Sequence, residues 1–299
     1  MDPRIVDRLR CPVCAEPLAE ATAGTARALR CPRRHSFDLA RQGYVDLLAG
    51  RAPHSGDTAE MVAARADFLA AGHYDVVSAA LADAATDALH AAEAAGRPPG
   101  PATAAGEAAY PLVVDAGAGT GRHLAAVLAA LPHAMGLALD VSKPALRRAA
   151  KAHPRAAAAL ADTWRRLPLA DASVAVLLDV FAPRNGAEFR RVLRPDGALL
   201  VVTPAADHLA ELVGALGLLR VDPDKADRVA GSLADHFAEV SATVLRARLE
   251  LTGPEVSTLV GMGPSAWHTD PAALAARIAA LPEPVPVTLA VRLGVHRPR

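Results

Sequence analysis

The stretch VVDAGAGTGRHLAAVL, residues 113 to 128, constrains the fold of this chain more than any other: an apolar run ends in an aspartate, three glycines follow at alternate positions, and helix-periodic residues begin at once. Glycine carries no Cβ, so such a turn lets backbone N–H groups and a helix N-terminus approach a bound ligand closely. The pattern continues downstream. PLVVDAG, GLALDVS, VAVLLDVF and ALLVVTP read as strands, with RHLAAVLAAL, PALRRAAKAH and EFRRVL as the helices between them. That alternation predicts an α/β fold, a parallel sheet with helices on both faces. SATVLRARLEL and PVTLAVRLGVH add two strands around the helical segment EVSTLVGMG.

The glycines, Gly117, Gly119 and Gly121, give GxGxG, but Arg122 stands where a dinucleotide fingerprint needs another glycine, which counts against a nicotinamide cofactor. Asp115, two residues before the first glycine, fits the acidic start of the methyltransferase version of this loop. Asp140 ends the next strand, where a carboxylate can accept both ribose hydroxyl protons. Asp162, in LADTWRRLPLAD, stands where methyltransferases of this class often contact adenine, Asp179 closes the fourth strand, and LRPDG, residues 193 to 197, resembles the turn before their fifth. Each alone is as well explained by a helix cap or a turn. In order and at these intervals they point together to S-adenosylmethionine held by a Rossmann-like, seven-stranded methyltransferase fold.

All three cysteines lie in the first 31 residues, as CPVC and then, after sixteen residues, CPRRH. An odd number so clustered does not suit a disulfide framework, whereas Cys11, Cys14, Cys31 and His35 supply the four tetrahedral ligands of structural zinc. With four protein ligands, no position remains open for a metal-bound water, so the zinc is expected to hold a small N-terminal module rather than to catalyse. Arg27, Arg30, Arg33, Arg34 and Arg41 crowd this module against Asp38. They read equally as a phosphate-contacting surface or as a solvated face. The basic segment from Lys143 to Arg166 carries the same two readings.

Composition sets outer bounds. With 32 basic and 32 acidic side chains among 299 residues, net charge argues neither for nor against an anionic partner, and 52% apolar residues give ample material for a core. No apolar run reaches the about 20 residues needed to span a bilayer, and MDPRIVDRLRCPVC lacks the pattern of a secretion signal, so a cytoplasmic protein without a membrane partner is expected. The expected organisation is a zinc-binding module over 1–50, a helical connector over 51–93, a flexible Pro/Gly/Ala-rich linker over 94–109, and a methyltransferase domain over 110–299. The connector reads as two helices, from Thr58 to about Leu89, joined at the GHY turn that begins with Gly72.

Nearly end to end, the chain resembles the bacterial 23S rRNA guanine-N1 methyltransferases, a group that includes macrolide-resistance enzymes of antibiotic producers. The resemblance rests on CPVC and CPRRH, on HSFDLARQGYVDLL and GDTAEMVAARADFLAAGHY, and on LDVSKPALRRAAK, FAP, HLAEL and MGPSAW. It implies zinc on the three cysteines and His35, RNA recognition by the module over 1–50, and a contribution of the connector over 51–93 to the cofactor pocket. It further implies cofactor contacts from Tyr74, Gly119, Thr120 and His208, and a homodimer whose cleft holds a 23S rRNA hairpin, methylated at a guanine near the macrolide site. Two features depart from the family pattern: the linker is longer, and Thr120 replaces a commonly acidic residue, which leaves open how the methionine part of the cofactor is held. For the general base the sequence offers Asp179, against the plain alternative of a strand-end cap. Two other functions compete: a small-molecule methyltransferase of antibiotic biosynthesis, disfavoured by the zinc module, and a non-catalytic zinc nucleic-acid-binding protein, disfavoured by the intact loop and Asp140.

Overall fold

The computed structural model describes residues 1–23, 26–48, 50, 56–94, 96, 110–218, 231–263 and 270–299. Most of the linker over 94–109 and the PSAW of MGPSAW lie outside them.

A short helix α1 (Pro3–Val6) leads into a three-stranded antiparallel sheet, β1 (Ala19–Ala23), β2 (Ala26–Arg30) and β3 (Ser36–Asp38). Strand β4 (Tyr44–Asp46) leaves that sheet and pairs in parallel with a strand more than a hundred residues away. Two helices follow, α2 (Ala59–Ala70) and α3 (Asp75–Ala94), meeting at the GHY turn, where Gly72 has φ of +86°. Thr58 caps α2 through Met61 N–H at 3.3 Å.

The main body alternates β5 (Leu112–Ala116), α4 (Arg122–Ala130), β6 (Met135–Asp140), α5 (Lys143–Ala149), β7 (Ala156–Leu160), β8 (Val174–Val180), α6 (Gly186–Val192) and β9 (Leu193–Pro204). After α7 (Ala210–Leu216) come β10 (Phe237–Leu251), helices Gly253–Gly261 and Pro271–Ala279, and β11 (Val285–Pro298). The strand order is β10-β11-β9-β8-β5-β6-β7-β4. Strands β4 to β9 run parallel, and β10 and β11 are antiparallel. Val113, Val176 and Leu178 point to one buried face and Leu112, Val114 and Leu177 to the other, so the all-apolar runs are those of a sheet covered on both sides.

The expected architecture holds, with one correction in the count: among the described residues the main sheet has eight strands, not seven. The extra strand is β4, drawn from within the first fifty residues. Pairing Tyr44 with Ala158 and Asp46 with Leu160, it satisfies backbone groups that β7 would otherwise leave at an open edge. LRPDG falls inside β9 as an irregularity, since Leu193 pairs with Val174 and Ala198 with Val176. The N-terminal segment docks on the same body: Leu9 bridges Leu169, Arg10 N–H donates to Pro168 O at 2.9 Å, and Ile5, Val6 and Leu9 are buried against one sheet face.

No helix among the described residues is long and apolar enough to cross a membrane.

Candidate functional site

Two constellations stand apart. At the N-terminal ribbon, the chain turns sharply just after Cys14 and just before His35, with Ala15 and Arg34 both in the left-handed region (φ of 61° and 68°). Ala15 N–H donates to Cys11 O and Arg34 N–H to Cys31 O, each at 2.8 Å. These turns bring the ligand atoms of Cys11, Cys14, Cys31 and His35 within 4.8 Å of one another. Cys14 Sγ is 3.7 Å from Cys31 Sγ, and His35 Nδ1 is 3.5 and 3.3 Å from Cys11 and Cys31 Sγ. A tetrahedron with Zn–S of about 2.3 Å and Zn–N of about 2.0 Å has edges of about 3.5–3.8 Å. The donor set therefore fits zinc with all four positions filled by protein.

The second constellation lies at the C-terminal ends of the parallel strands. The chain order moves outward from β5 through β6 to β7 and returns to β8 on the other side, so the crevice of this sheet opens between β5 and β8. Asp115 on β5 is 1% exposed, and its Oδ1 has no hydrogen-bond partner. Burial, reinforced by the charge of Asp140, raises its pKa to about 8. Gly117 has φ of +83°, and a Cβ there would lie 2.5 Å from Ala182 Cβ, so glycine alone lets the loop pass the β8 turn. The loop is fastened to β6: Gly117 and Ala118 N–H donate to Leu139 O at 2.8 and 3.0 Å, and Gly119 N–H to Asp140 Oδ2 at 2.8 Å. Asp140 Oδ1 accepts from Ser142 N–H at 2.8 Å. Burial pushes the Asp140 carboxyl up, and these two N–H donors oppose it. Gly121 starts α4 from φ of +79°, and Thr120 beside it is buried.

Asp162 follows β7. Its Oδ1 accepts from Trp164 N–H at 3.0 Å, while Oδ2 is buried without a hydrogen bond, 3.5 Å from Arg165 Nε. Asp179, at the end of β8, is 0% exposed. Neither of its oxygens has a hydrogen bond, Arg184 Nε lies 3.2 Å away, and burial raises its pKa well above the usual carboxylate range. Tyr74, from the GHY turn, is buried. Its hydroxyl is 3.5 Å from His208 Nε2, and both rings approach Phe181 at 6.3 and 6.1 Å between centroids.

The fold thus gathers Tyr74, Asp115, the glycine loop, Asp140, Asp162, Asp179 and His208 at the same end of the sheet, and the zinc ligands into their own cluster. Sequence reasoning singled out neither Arg65 nor Phe181, although both lie inside quoted signatures. Arg65 reaches over the loop: a Cβ on Gly119 would stand 3.3 Å from Arg65 Nη1. Arg65 pairs with Asp57 and donates to Met262 O at 2.9 Å. The neighbouring Gly56 packs so closely on Ser142 that a Cβ would meet its backbone nitrogen at 2.8 Å. An acidic residue and an arginine just before and within a helix carry no mark of this role in sequence, because the partner loop lies more than fifty residues away.

Unpaired buried carboxylate oxygens in a crevice, a glycine cradle and a strand-end carboxylate suit a zwitterionic adenosyl ligand.

Comparison with known proteins agrees with both constellations. Residues 9–55 match the family described as RlmA, N-terminal, a zinc ribbon, and residues 113–197 match a methyltransferase domain. A Micromonospora griseorubida protein whose name places it among 23S rRNA (guanine-N(1)-)-methyltransferases is 70% identical, with 100% of each chain covered. The 23S rRNA (guanine(748)-N(1))-methyltransferase of Streptomyces fradiae is 51% identical, over 100% of this chain and 99% of its own. A Bacillus subtilis protein of similar name is 33% identical over 68% of this chain and 66% of its own. S-adenosylmethionine and structural zinc are accordingly the cofactors of this protein. With relatives this similar along the whole chain, and with a zinc ribbon and a cofactor crevice in one molecule, the chain belongs to the family of 23S rRNA guanine-N1 methyltransferases.

Proposed function

We propose that the protein transfers a methyl group to N1 of a guanine in a hairpin loop of 23S rRNA near the macrolide site, as a cytoplasmic enzyme and a homodimer, and that the modification lowers macrolide binding. The observation that carries this reading is the full-length similarity to a Streptomyces fradiae enzyme named for that reaction.

S-adenosylmethionine supplies an electrophilic sulfonium methyl when bound. The residues divide the remaining work. Asp140 would accept from the ribose hydroxyls with the lone pairs that Gly119 and Ser142 leave. Asp162, whose Oδ2 has no hydrogen bond, would receive the adenine amine, and Asp115, through its unbonded Oδ1, would receive the ammonium. Arg65, over the loop, would take the carboxylate in place of Asp57 and so hold the methionine end, for which Thr120 offers no charge. Gly117, Gly119 and Gly121 would keep the backbone close, and Tyr74 and His208 would wall the methyl end. Orientation of the acceptor supplies much of the rate gain, and removal of the N1 proton the rest. Guanine N1 lies on the Watson–Crick edge, so the base must be unpaired or extruded to react. Asp179 stands as the proposed proton acceptor. As it sits, sealed and paired with Arg184, it reaches a base only when the 181–184 segment moves, and an Asp179→Asn protein that kept its pH–rate profile would remove it from the role.

The exposed Arg27, Arg30, Arg33, Arg34 and Arg41 form the proposed phosphate face of the ribbon. The Lys143–Arg166 segment is less uniform, because Arg155 turns inward to the carbonyls of Leu128, Leu131 and Ala134.

Purified enzyme, S-adenosylmethionine and 23S rRNA should give one new primer-extension stop at a loop guanine, absent without cofactor, and nucleoside analysis should identify N1-methylguanosine. Methyl transfer to a macrolide or a sugar but to no RNA overturns the reading.

A further inference from the structure

We propose that Phe181 is the platform on which the extruded target guanine stacks. The inference rests on the guanine reading above and goes beyond it by naming the residue that receives the base.

Four observations meet at this side chain. First, it follows β8, one side of the crevice between β5 and β8, where ligands of such sheets bind. Second, a large aromatic ring at this place is 42% exposed, although nearly every other residue of β8 and β9 is buried. Third, its φ is +54°, in the left-handed region, which is strained for a residue that carries a side chain. Strain of this kind survives only where neighbours enforce it. They do: Phe181 N–H donates to Val202 O at 3.1 Å, and Ala182 is pressed against Gly117. Fourth, the ring is backed by others. His208 stacks with it at 6.1 Å and 28° between planes, and Tyr74 lies at 6.3 Å. The ring is thus supported by the two residues proposed to wall the methyl end, and still open to solvent.

An extruded guanine gives up stacking in its loop. A flat apolar ring restores stacking without reading the base's edge, leaving N1 free to meet the methyl group. Phe181 stands two residues beyond Asp179, the proposed proton acceptor.

The test compares Phe181→Ala, Phe181→Leu and Phe181→Tyr with the unaltered full-length protein, using a 23S rRNA fragment carrying the target hairpin. Methyl transfer kinetics, S-adenosylmethionine affinity by calorimetry and melting temperature are measured for each. The expected result is a 10- to 100-fold loss in kcat/KM for RNA in Phe181→Ala and in Phe181→Leu, most of it restored in Phe181→Tyr, with cofactor affinity and melting temperature unmoved. Leucine performing as well as tyrosine would reduce the role to bulk, and alanine within twofold of the unaltered protein would abolish it. Parallel loss of cofactor affinity in Phe181→Ala would assign the ring to the cofactor pocket instead. Unaltered protein that methylates no guanine defeats the underlying reading, an outcome visible in that arm alone.

Discussion

The zinc ribbon and the cofactor crevice solve ligand binding in opposite ways. The ribbon closes on its ion with four side chains from two short turns, each pair three or four residues apart, and asks little of the rest of the chain. The crevice is assembled from the ends of β5, β6, β7 and β8, from the GHY turn and from His208, and several of its polar atoms stay unpaired. The contrast teaches that a side-chain-ligated metal site is a local property, whereas a backbone-built pocket is a property of topology.

The largest effect that would break this contrast is loss of the metal. Cys14→Ala should lose zinc, measured by metal analysis, and its melting temperature should fall by more than about 10 °C, since structural zinc contributes folding energy directly. Its affinity for S-adenosylmethionine should stay within a few-fold. Equal collapse of cofactor affinity would make the two regions one cooperative unit, a real alternative given β4 in the main sheet. Next, Asp140→Ala should weaken cofactor binding about 100-fold by calorimetry, which at about 1.4 kcal/mol per tenfold corresponds to a single charged hydrogen-bonding group with several partners. Unchanged affinity would put the adenosyl group elsewhere.

A sharper probe of the crevice is Arg65→Met. Affinity for S-adenosylmethionine should drop about 10- to 30-fold, while 5′-methylthioadenosine, which lacks the amino-acid end, should bind as before. Equal losses for both would make Arg65 a purely structural clamp between Asp57 and Met262. A smaller effect comes from Asp115. With its pKa raised to about 8, its carboxyl is mostly protonated in the free protein at neutrality, and a cofactor ammonium beside it favours ionisation. Binding should then release a proton near pH 7, and affinity should rise with pH up to about 8 and level off; calorimetry in two buffers of different ionisation enthalpy reads the proton directly.

The smallest is a control outside both sites. His123, buried against Ser78 with Oγ to Nδ1 at 2.9 Å, has its pKa lowered to about 4, first by burial and then by Arg122. Its folded pKa lies below the unfolded value, so the unfolded chain takes up its proton first. The stability this neutral histidine contributes is complete above about pH 6.5 and is lost as pH falls towards 4. Thermal melts of the protein and of His123→Asn should diverge in that window and nowhere else.

Strand β7 marks the boundary of what sequence reasoning reaches. AAAAL has the strongest intrinsic helix preference available and no alternation, so neither propensity nor period marks it as a strand. Its place between β6 and β4 decides the matter, with Ala157, Ala158 and Ala159 buried inside the sheet. Strand β4 escaped for a related reason: three residues next to a zinc ribbon carry too little pattern to announce a partner at Ala158–Leu160. The glycine loop, Asp115 and Asp140 were legible because turn geometry demands those residue types locally. Arg65 and Phe181 were not, since one acquires its role from a loop brought over by folding and the other from two rings 107 and 27 residues away in sequence.

By itself, then, the sequence determined the alternating strands and helices, the GxGxG turn with its acidic flanks and the four zinc ligands, because hydrophobic period, glycine stereochemistry and coordination spacing all act over a few residues. Tertiary structure alone decided that the sheet has eight strands, that the ribbon's chain supplies its edge, that Asp179 is sealed beside Arg184, and that Phe181 stands open against Tyr74 and His208. Those features depend on contacts between residues far apart in the chain, and burial, pairing and exposure exist only once the sheet has brought them together.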